Sequence, residues 1–314
     1  EDSQFTAPVL ESLSSLHLDG AHEADVVELV TRSVASARAA DLPCILRFLL
    51  QHLTAENIPE VLLAVRSGLS QELLATEHSH RADRNAANTG GASAPADEAL
   101  VLDAILSSLR VRSDLGMLLI GELENAKKAA EQKPIDWWII LALASAADAK
   151  SRARAMKLLA DRAGRQLLTP TLLRQAIRGH GVALKPHYQL QLSLAGTLVR
   201  NPSSALARHV GGSVYAALFE EYAEPYERQE MIGQMLTHAG SGVTCEVDQA
   251  LSTLVDLATS DPYAVSAFSS FIVGVLDYLD GLSVPQARLA FELFARIAYD
   301  ADAGGTRLAD ELHI

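Results

Sequence analysis

The sequence predicts an all-α fold, an α-solenoid of antiparallel helix pairs of the HEAT/armadillo kind. Three observations carry this. Aromatic residues make up only 5% of the 314 residues, alanine and leucine are abundant, and no apolar–polar alternation runs long enough for a sheet. Start and stop signals recur about every 20 residues, marking about fifteen short helices and paired units of roughly 40 residues. A closed bundle of so many helices has too many faces to bury, whereas stacked pairs bury theirs on nearest neighbours. One continuous solenoid is therefore expected over residues 1–75 and 98–314, interrupted by a flexible polar loop at 76–97.

Taken in chain order, Pro8 opens the first helix, Asp41-Leu-Pro43 another and Ile58-Pro59 a third. Gly20, Gly164, Gly179 and Ser241-Gly242 read as helix stops. The stretch TEHSHRADRNAANTGGASAPAD at 76–97 holds too little apolar surface to order itself. Its His78 and His80 lack further ligands nearby and read as solvated histidines, not a metal site. Pro134 begins a strongly apolar helix bearing Trp137 and Trp138. Neighbours on a helix point about 100° apart, so one of the two rings is expected at the edge of the core.

Thr169-Pro170, Asn201-Pro202 and Asp261-Pro262 each set a capping side chain directly before proline, and Ser283-Val-Pro-Gln286 has capping-box spacing. Residues 266–283, SAFSSFIVGVLDYLDGLS, drawn as a helix, put Val265, Phe268, Ile272, Val275, Leu276 and Leu279 on one face. The opposite face reads Ser266, Ser269, Ser270, Val273, Asp277 and Asp280, with Val273 its one apolar member. Asp300 to Glu311 approximates an EF-hand loop, but Gly304 stands where an oxygen ligand is needed and Arg307 where an apolar residue is needed. It reads as an acidic loop.

Cys44 and Cys245 are far apart in sequence and read as reduced thiols, with Cys44 buried, in a reducing compartment. No apolar run reaches membrane-span length. The start at Glu1 and the end at Ile314 suggest a piece of a longer chain. No G-x-S-x-G, Walker loop, H-E-x-x-H or C-x-x-C occurs, so neither an enzyme nor a cofactor or metal is expected.

The net charge of −13 alone argues against nucleic acid, but its distribution does not. Residues 150–210 carry 11 lysines and arginines against Asp161 alone, between two acidic blocks. Lys150, Arg152, Arg154, Lys157, Arg162, Arg165, Arg174 and Arg178 fall within 29 residues. Arginine predominates, which suits bidentate phosphate contact, and Lys150, Arg154 and Lys157 share a helix face. Such a strip would bind duplex phosphates without reading sequence. The alternative is a solvated helix face, or a surface that pairs with the acidic blocks inside the fold.

Several stretches go beyond composition. They are Val9 to Leu18, Asp41 to Thr54, Gln229 to Leu251 through Ser241-Gly242, and Gly274-Val-Leu-Asp277-Tyr278-Leu-Asp280. In this order and spacing, over about residues 5–300, they resemble the Fanconi anaemia group D2 family. The polar 76–97 loop falls where that family carries a variable insert. The resemblance implies an α-solenoid that pairs with the Fanconi anaemia group I protein and clamps double-stranded DNA. It also implies a non-enzymatic role in the nucleus, in interstrand crosslink repair and replication-fork protection, switched by one ubiquitin on a lysine. That lysine stands directly before the Gly-Val-Leu-Asp-Tyr-Leu-Asp stretch in the family; here the position is Val273, and residues 186–314 contain no lysine. Val273 is therefore expected to be partly exposed, at a ubiquitin-acceptor position without its acceptor. The competing reading is a helical-repeat scaffold that binds proteins and does not touch DNA.

Overall fold

The computed structural model of the chain describes residues 6–15, 20–38, 40–67, 97–125, 134–144, 148–178 and 181–299. These are helices and turns, with no strand among them. Two compact units are present: Glu1–Arg162 with Gln175–Leu190, and Ala163–Arg174 with Gln191–Ile314. All but the last residue of the expected loop at 76–97 lies outside the described residues, as does the acidic loop at 300–311.

The first unit holds α1 (Thr6–Ser15), α2 (Gly20–Ser33), α3 (Leu42–Gln51), α4 (58–67), α5 (Asp97–Val111), α6 (Leu115–Asn125), α7 (Pro134–Ala144) and most of α8 (Ala149–Gly164). Packing joins helices one or two places apart in the chain: α1 and α2 on α3, α3 on α5, and α5 on α6 and α7. Gly20 opens α2 rather than closing a helix. Before α4, Thr54 and Asn57 exchange hydrogen bonds: the Thr54 N–H donates to Asn57 Oδ1 at 2.7 Å and the Asn57 N–H to Thr54 Oγ1 at 3.3 Å. Asp41 precedes α3 without capping it, because its carboxylate accepts from Arg38 Nε at 3.2 Å instead. Arg112 Nη1 donates to the carbonyls of Leu50, Gln51 and Leu53, satisfying the C-terminal end of α3.

Helix α7 corrects one expectation. Trp137 and Trp138 are both fully buried, because every residue from Ile135 to Ala144 is buried and the helix has no outer face. Amphipathic phase decides exposure only for a helix at the surface. The one charge on α7, Asp136, is paired bidentately: Arg66 Nε donates to Oδ1 at 2.7 Å and Nη2 to Oδ2 at 2.8 Å.

The second unit holds α12 (Ala205–Glu221), α13 (Pro225–Ala239), α14 (Thr244–Ser260), α15 (Pro262–Ser266), α16 (Ser269–Ile272), a 3₁₀ segment (Val273–Gly281) and α17 (Val284–Tyr299). The start of α9 (Pro170–Arg178) and most of α11 (Tyr188–Val199) belong to it as well, while the short α10 (Gly181–Leu184) falls in the first unit. α14 packs on both α12 and α17, while α13 packs on α12, α14 and α16. Alternate helices side by side with intervening ones behind is the stacking of a helical repeat, the solenoid arrangement within the unit.

The expected caps at Thr169 and Asp261 form: the Leu172 N–H donates to Thr169 Oγ1 at 3.3 Å and the Ala264 N–H to Asp261 Oδ1 at 2.9 Å. At Ser283 the capping box keeps its return half, the Ser283 N–H donating to Gln286 Oε1 at 2.9 Å. Asn201-Pro202 does not start its helix. Asn201 Oδ1 accepts from the N–H groups of Ser203 and Ser204, both at 3.0 Å, as an Asx turn. The cap passes to Ser204, whose Oγ accepts from the Ala207 N–H at 3.1 Å.

Candidate nucleic-acid interface

The basic strip is built mainly on α8. Asp148 begins it by accepting from the N–H groups of Lys150 at 3.2 Å and Ser151 at 2.8 Å, two donors the first turn leaves unpaired. Ser151, Ala155, Leu158, Leu159, Arg162 and Ala163 are buried and recur at helical spacing, so they form the inner stripe. That stripe leaves Lys150, Arg152 and Lys157 exposed and Arg154 half-buried.

Arg154 and Arg162, among the eight expected phosphate contacts, are held by other groups. Arg154 forms an ion pair with Glu124 at the end of α6, its Nε donating to Oε1 at 3.0 Å. That bond holds the Glu124 carboxyl below the ordinary range, and Lys157 adds to the effect. Arg162 is only 2% exposed, so no phosphate reaches it. Its Nη2 donates to the Leu123 carbonyl, and its Nη1 finds no acceptor among the described residues. Burial lowers its pKa, opposed by the charge of Asp136. The correction has a simple cause: position 162 continues the apolar stripe of 151, 155, 158 and 159, and helical phase overrides residue type.

Arg165, Arg174 and Arg178 are exposed. Arg165 and Arg174 lie in the second unit, while Arg178 lies with Lys150, Arg152 and Lys157 in the first. The structure thus brings Lys150, Arg154 and Lys157 onto one helix face, with Glu124 beside them.

Val273 is half-buried and begins the 3₁₀ segment. The stretch 266–283 is not one α-helix, as its apolar phase suggests. It breaks at Ala267 and Phe268 and continues as α16 and then as 3₁₀ turns. Three residues per turn line up Ile272, Val275 and Tyr278. Ile272 and Val275 are buried, and the Tyr278 ring rests on Gly240, where an added Cβ would stand 2.7 Å from Cζ. The 3₁₀ geometry therefore seats a tyrosine over the end of α13 and leaves Val273, Asp277 and Asp280 toward the outside.

Sequence reading missed a buried polar chain in the second unit. His238 Nδ1 lies 2.5 Å from Glu246 Oε1, and its Nε2 lies 3.3 Å from the Tyr215 hydroxyl, which donates to Gln234 Oε1 at 2.8 Å. Burial pushes the Tyr215 hydroxyl pKa well up. The only sequence signal is the spacing of His238 and Glu246 around the Ser241-Gly242 turn. Also missed was a cavity of about 340 Å³ between α12 and α14, closed on one side by Pro170 and Arg174. Cys44 and Cys245 form no disulfide and are half-buried, and burial raises the Cys44 pKa. Among the described residues, no three His, Cys, Asp or Glu side chains are grouped to hold a metal ion, and no helix is long and apolar enough to cross a membrane.

A family described as "Fanconi anaemia protein FancD2 nuclease" matches residues 1–314. The chain is 27% identical over 324 residues to the Fanconi anemia group D2 protein homolog of Mus musculus, covering 100% of this chain and 22% of that protein. It is 25% identical over 320 residues to the Fanconi anemia group D2 protein of Gallus gallus, covering 99% of this chain and 22% of that one. The chain spans 22% of the length of these curated relatives. With the match running from its first residue to its last, the chain belongs to the Fanconi anaemia group D2 family.

Proposed function

We propose that this chain is a non-catalytic part of a clamp on double-stranded DNA, paired with the Fanconi anaemia group I protein. It acts in the nucleus, in interstrand crosslink repair and replication-fork protection. Family membership supports the pathway, and the exposed cations of α8 support the DNA contact. The observation that carries the contact is Lys150, Arg152 and Lys157 standing exposed on one short helix, in a 61-residue segment with a single acid. Side chains of this kind contact phosphate oxygens without reading bases.

The test is a duplex titration across a range of salt, with the chain alone and with its group I partner. Each phosphate contact contributes about 0.9 to the slope of log affinity against log salt. Reversing Lys150, Arg152 and Lys157 together lowers that slope by about three contacts' worth, roughly 2.7. A slope unchanged by the triple reversal, in the pair as in the chain alone, sinks the contact.

A second reading has its own observation. The ion pair of Arg154 with Glu124 and the burial of Arg162 turn part of the strip inward, as in a protein-binding scaffold without DNA contact. Under that reading the group I partner binds this chain with no duplex present, and duplex affinity is absent even at low salt.

A further inference from the structure

The cavity between α12 and α14 lies wholly within the second unit and takes no part in the duplex contact proposed above. Its floor is set by small residues: Gly212, Ser213 and Ala216 stand where α12 faces α14. The helices approach so closely there that a Cβ on Gly212 would stand 2.4 Å from Thr253 Oγ1 and 2.6 Å from Gln249 Nε2. Beyond that contact the walls part and leave about 340 Å³, room for a side chain or a small molecule.

The chemistry of the walls follows from where the hydroxyl protons go. A hydroxyl has one proton and two lone pairs. Ser213 Oγ donates to the His209 carbonyl at 2.9 Å, Thr253 Oγ1 to the Gln249 carbonyl at 2.8 Å, and Thr259 Oγ1 to the Val255 carbonyl at 2.7 Å. All three therefore offer only lone pairs to the cavity. One N–H of the Gln249 amide is engaged as well, Nε2 donating to Thr253 Oγ1 at 3.2 Å.

Two carboxylates, Glu220 and Asp256, complete the lining near the C-terminal ends of α12 and α14. As alternate members of the repeat these helices run in the same direction, so the negative ends of both dipoles meet there. Asp256 is exposed at the mouth of the cavity, and partial burial of its carboxyl still raises its pKa, against the charges of His209 on α12, Arg174 on α9 and Arg296 on α17, with Glu292 on α17 adding to the rise. Among the described residues no cation forms an ion pair with Asp256, so its carboxylate is open to a ligand in the cavity.

We propose that this cavity is a binding site for a multi-donor cation, a guanidinium or alkylammonium group, held by Asp256 and Glu220 and by the lone pairs of Ser213, Thr253 and Thr259. Arg174 also lines the cavity, and its positive charge opposes the bound cation. The same chemistry is carried by an arginine side chain of a protein partner and by a free polyamine.

The experiment titrates N-acetyl-arginine amide, spermidine and inorganic phosphate separately into the full chain, following the backbone amide shifts of Gly212, Thr253 and Asp256. Saturable shifts with either cation are expected, and the tighter of the two identifies the source. Asp256→Asn weakens the binding about tenfold or more, as loss of a charged acceptor does, while Arg174→Ala tightens it. Ala216→Leu fills the cavity and abolishes binding, which provides a second arm should Asp256→Asn fail to fold. The site does not exist if neither cation moves these amides, if phosphate moves them and the cations do not, or if binding survives the folded variants unchanged. Loss of duplex binding has no bearing on the result, so this site and the clamp stand or fall separately.

Discussion

Two glycines in adjacent helices give opposite expectations for the same change. Gly211 sits in α12 where it meets α11: an added Cβ would stand 2.8 Å from the Ala195 carbonyl oxygen, 2.8 Å from the Val199 nitrogen and 2.9 Å from Leu198 Cβ. Two of these three are backbone atoms and cannot rotate away, so the helices must separate. Gly233 lies inside α13, where an added Cβ meets nothing within 4 Å. Gly→Ala in a helix gains about 0.5–1 kcal/mol from backbone entropy alone. At Gly233 that gain is unopposed. At Gly211 it competes with overpacking against rigid neighbours, at the upper end of the roughly 1–3 kcal/mol range or beyond. Gly211→Ala is therefore expected to cost about 2 kcal/mol net. Gly233→Ala is expected to gain about 0.5–1 kcal/mol, so the two differ in sign by roughly 3 kcal/mol. Urea denaturation followed by far-ultraviolet circular dichroism measures this as opposite shifts of the midpoint at constant slope. A Gly211→Ala variant as stable as the parent would refute the close approach of α11 and α12.

Arg162→Met removes a buried charge with one unpaired nitrogen and one bond to the Leu123 carbonyl. Stability is expected to change by less than about 1.5 kcal/mol, as volume-conserving replacement of a buried ion does, with the duplex salt slope unchanged. A flattened slope would return Arg162 to the interface. Asp256 binds its proton more readily folded than unfolded. Its contribution to stability is thus present at low pH and lost as pH rises from the ordinary aspartate range, about 3.9, through its raised folded value. Asp256→Asn should abolish that part of the pH dependence of the unfolding midpoint; parallel curves would count against it. Val273→Lys supplies an amine at a half-buried position of a segment that has no lysine. If position 273 is the acceptor that the resemblance implies, the variant acquires one ubiquitin in a reconstituted ubiquitination reaction where the parent acquires none at that site, and an unmodified variant would show that the position is not the acceptor.

How much of this was legible depends on the distance over which each feature is decided. The caps at Thr169 and Asp261 are settled within four residues, and the sequence identifies both. Asn201 fails at the same range because two Asx bonds to Ser203 and Ser204 compete with the cap, and serine at 204 takes over. Trp137 and Trp138 fail for a different reason. Whether α7 has an outer face depends on what surrounds it, and a helix this apolar shows no phase from which to read that. The 266–283 stretch shows an intermediate case. Of its six expected apolar-face residues, Val265, Phe268, Ile272 and Val275 are buried while Leu276 and Leu279 are half-buried; the four buried spacings fit both α and 3₁₀ turns, and the seating of Tyr278 on Gly240, 38 residues away in sequence, accompanies the tighter one.

The strip on α8 shows why charge density overstates an interface. A segment net charge counts every arginine as though it faced solvent, but a helical repeat has a second use for arginine, because each helix ends in carbonyls that its own turns leave unpaired. Arg112 serves the end of α3, Arg162 bonds the Leu123 carbonyl near the end of α6, and Arg228 donates to the Phe219 and Tyr222 carbonyls at the end of α12 while lying 4.6 Å over the Phe219 ring. A guanidinium can serve several carbonyls from one fork, which lysine cannot do in the same geometry. Lysine is thus the better marker of a free positive surface in this architecture. Lys150 and Lys157 are both exposed, whereas the arginines between and after them divide between solvent, Glu124 and the core. Weighted this way, the strip contracts from eight residues over 29 positions to a short cationic face on α8. The duplex salt slope is the measurement that can tell those two sizes apart.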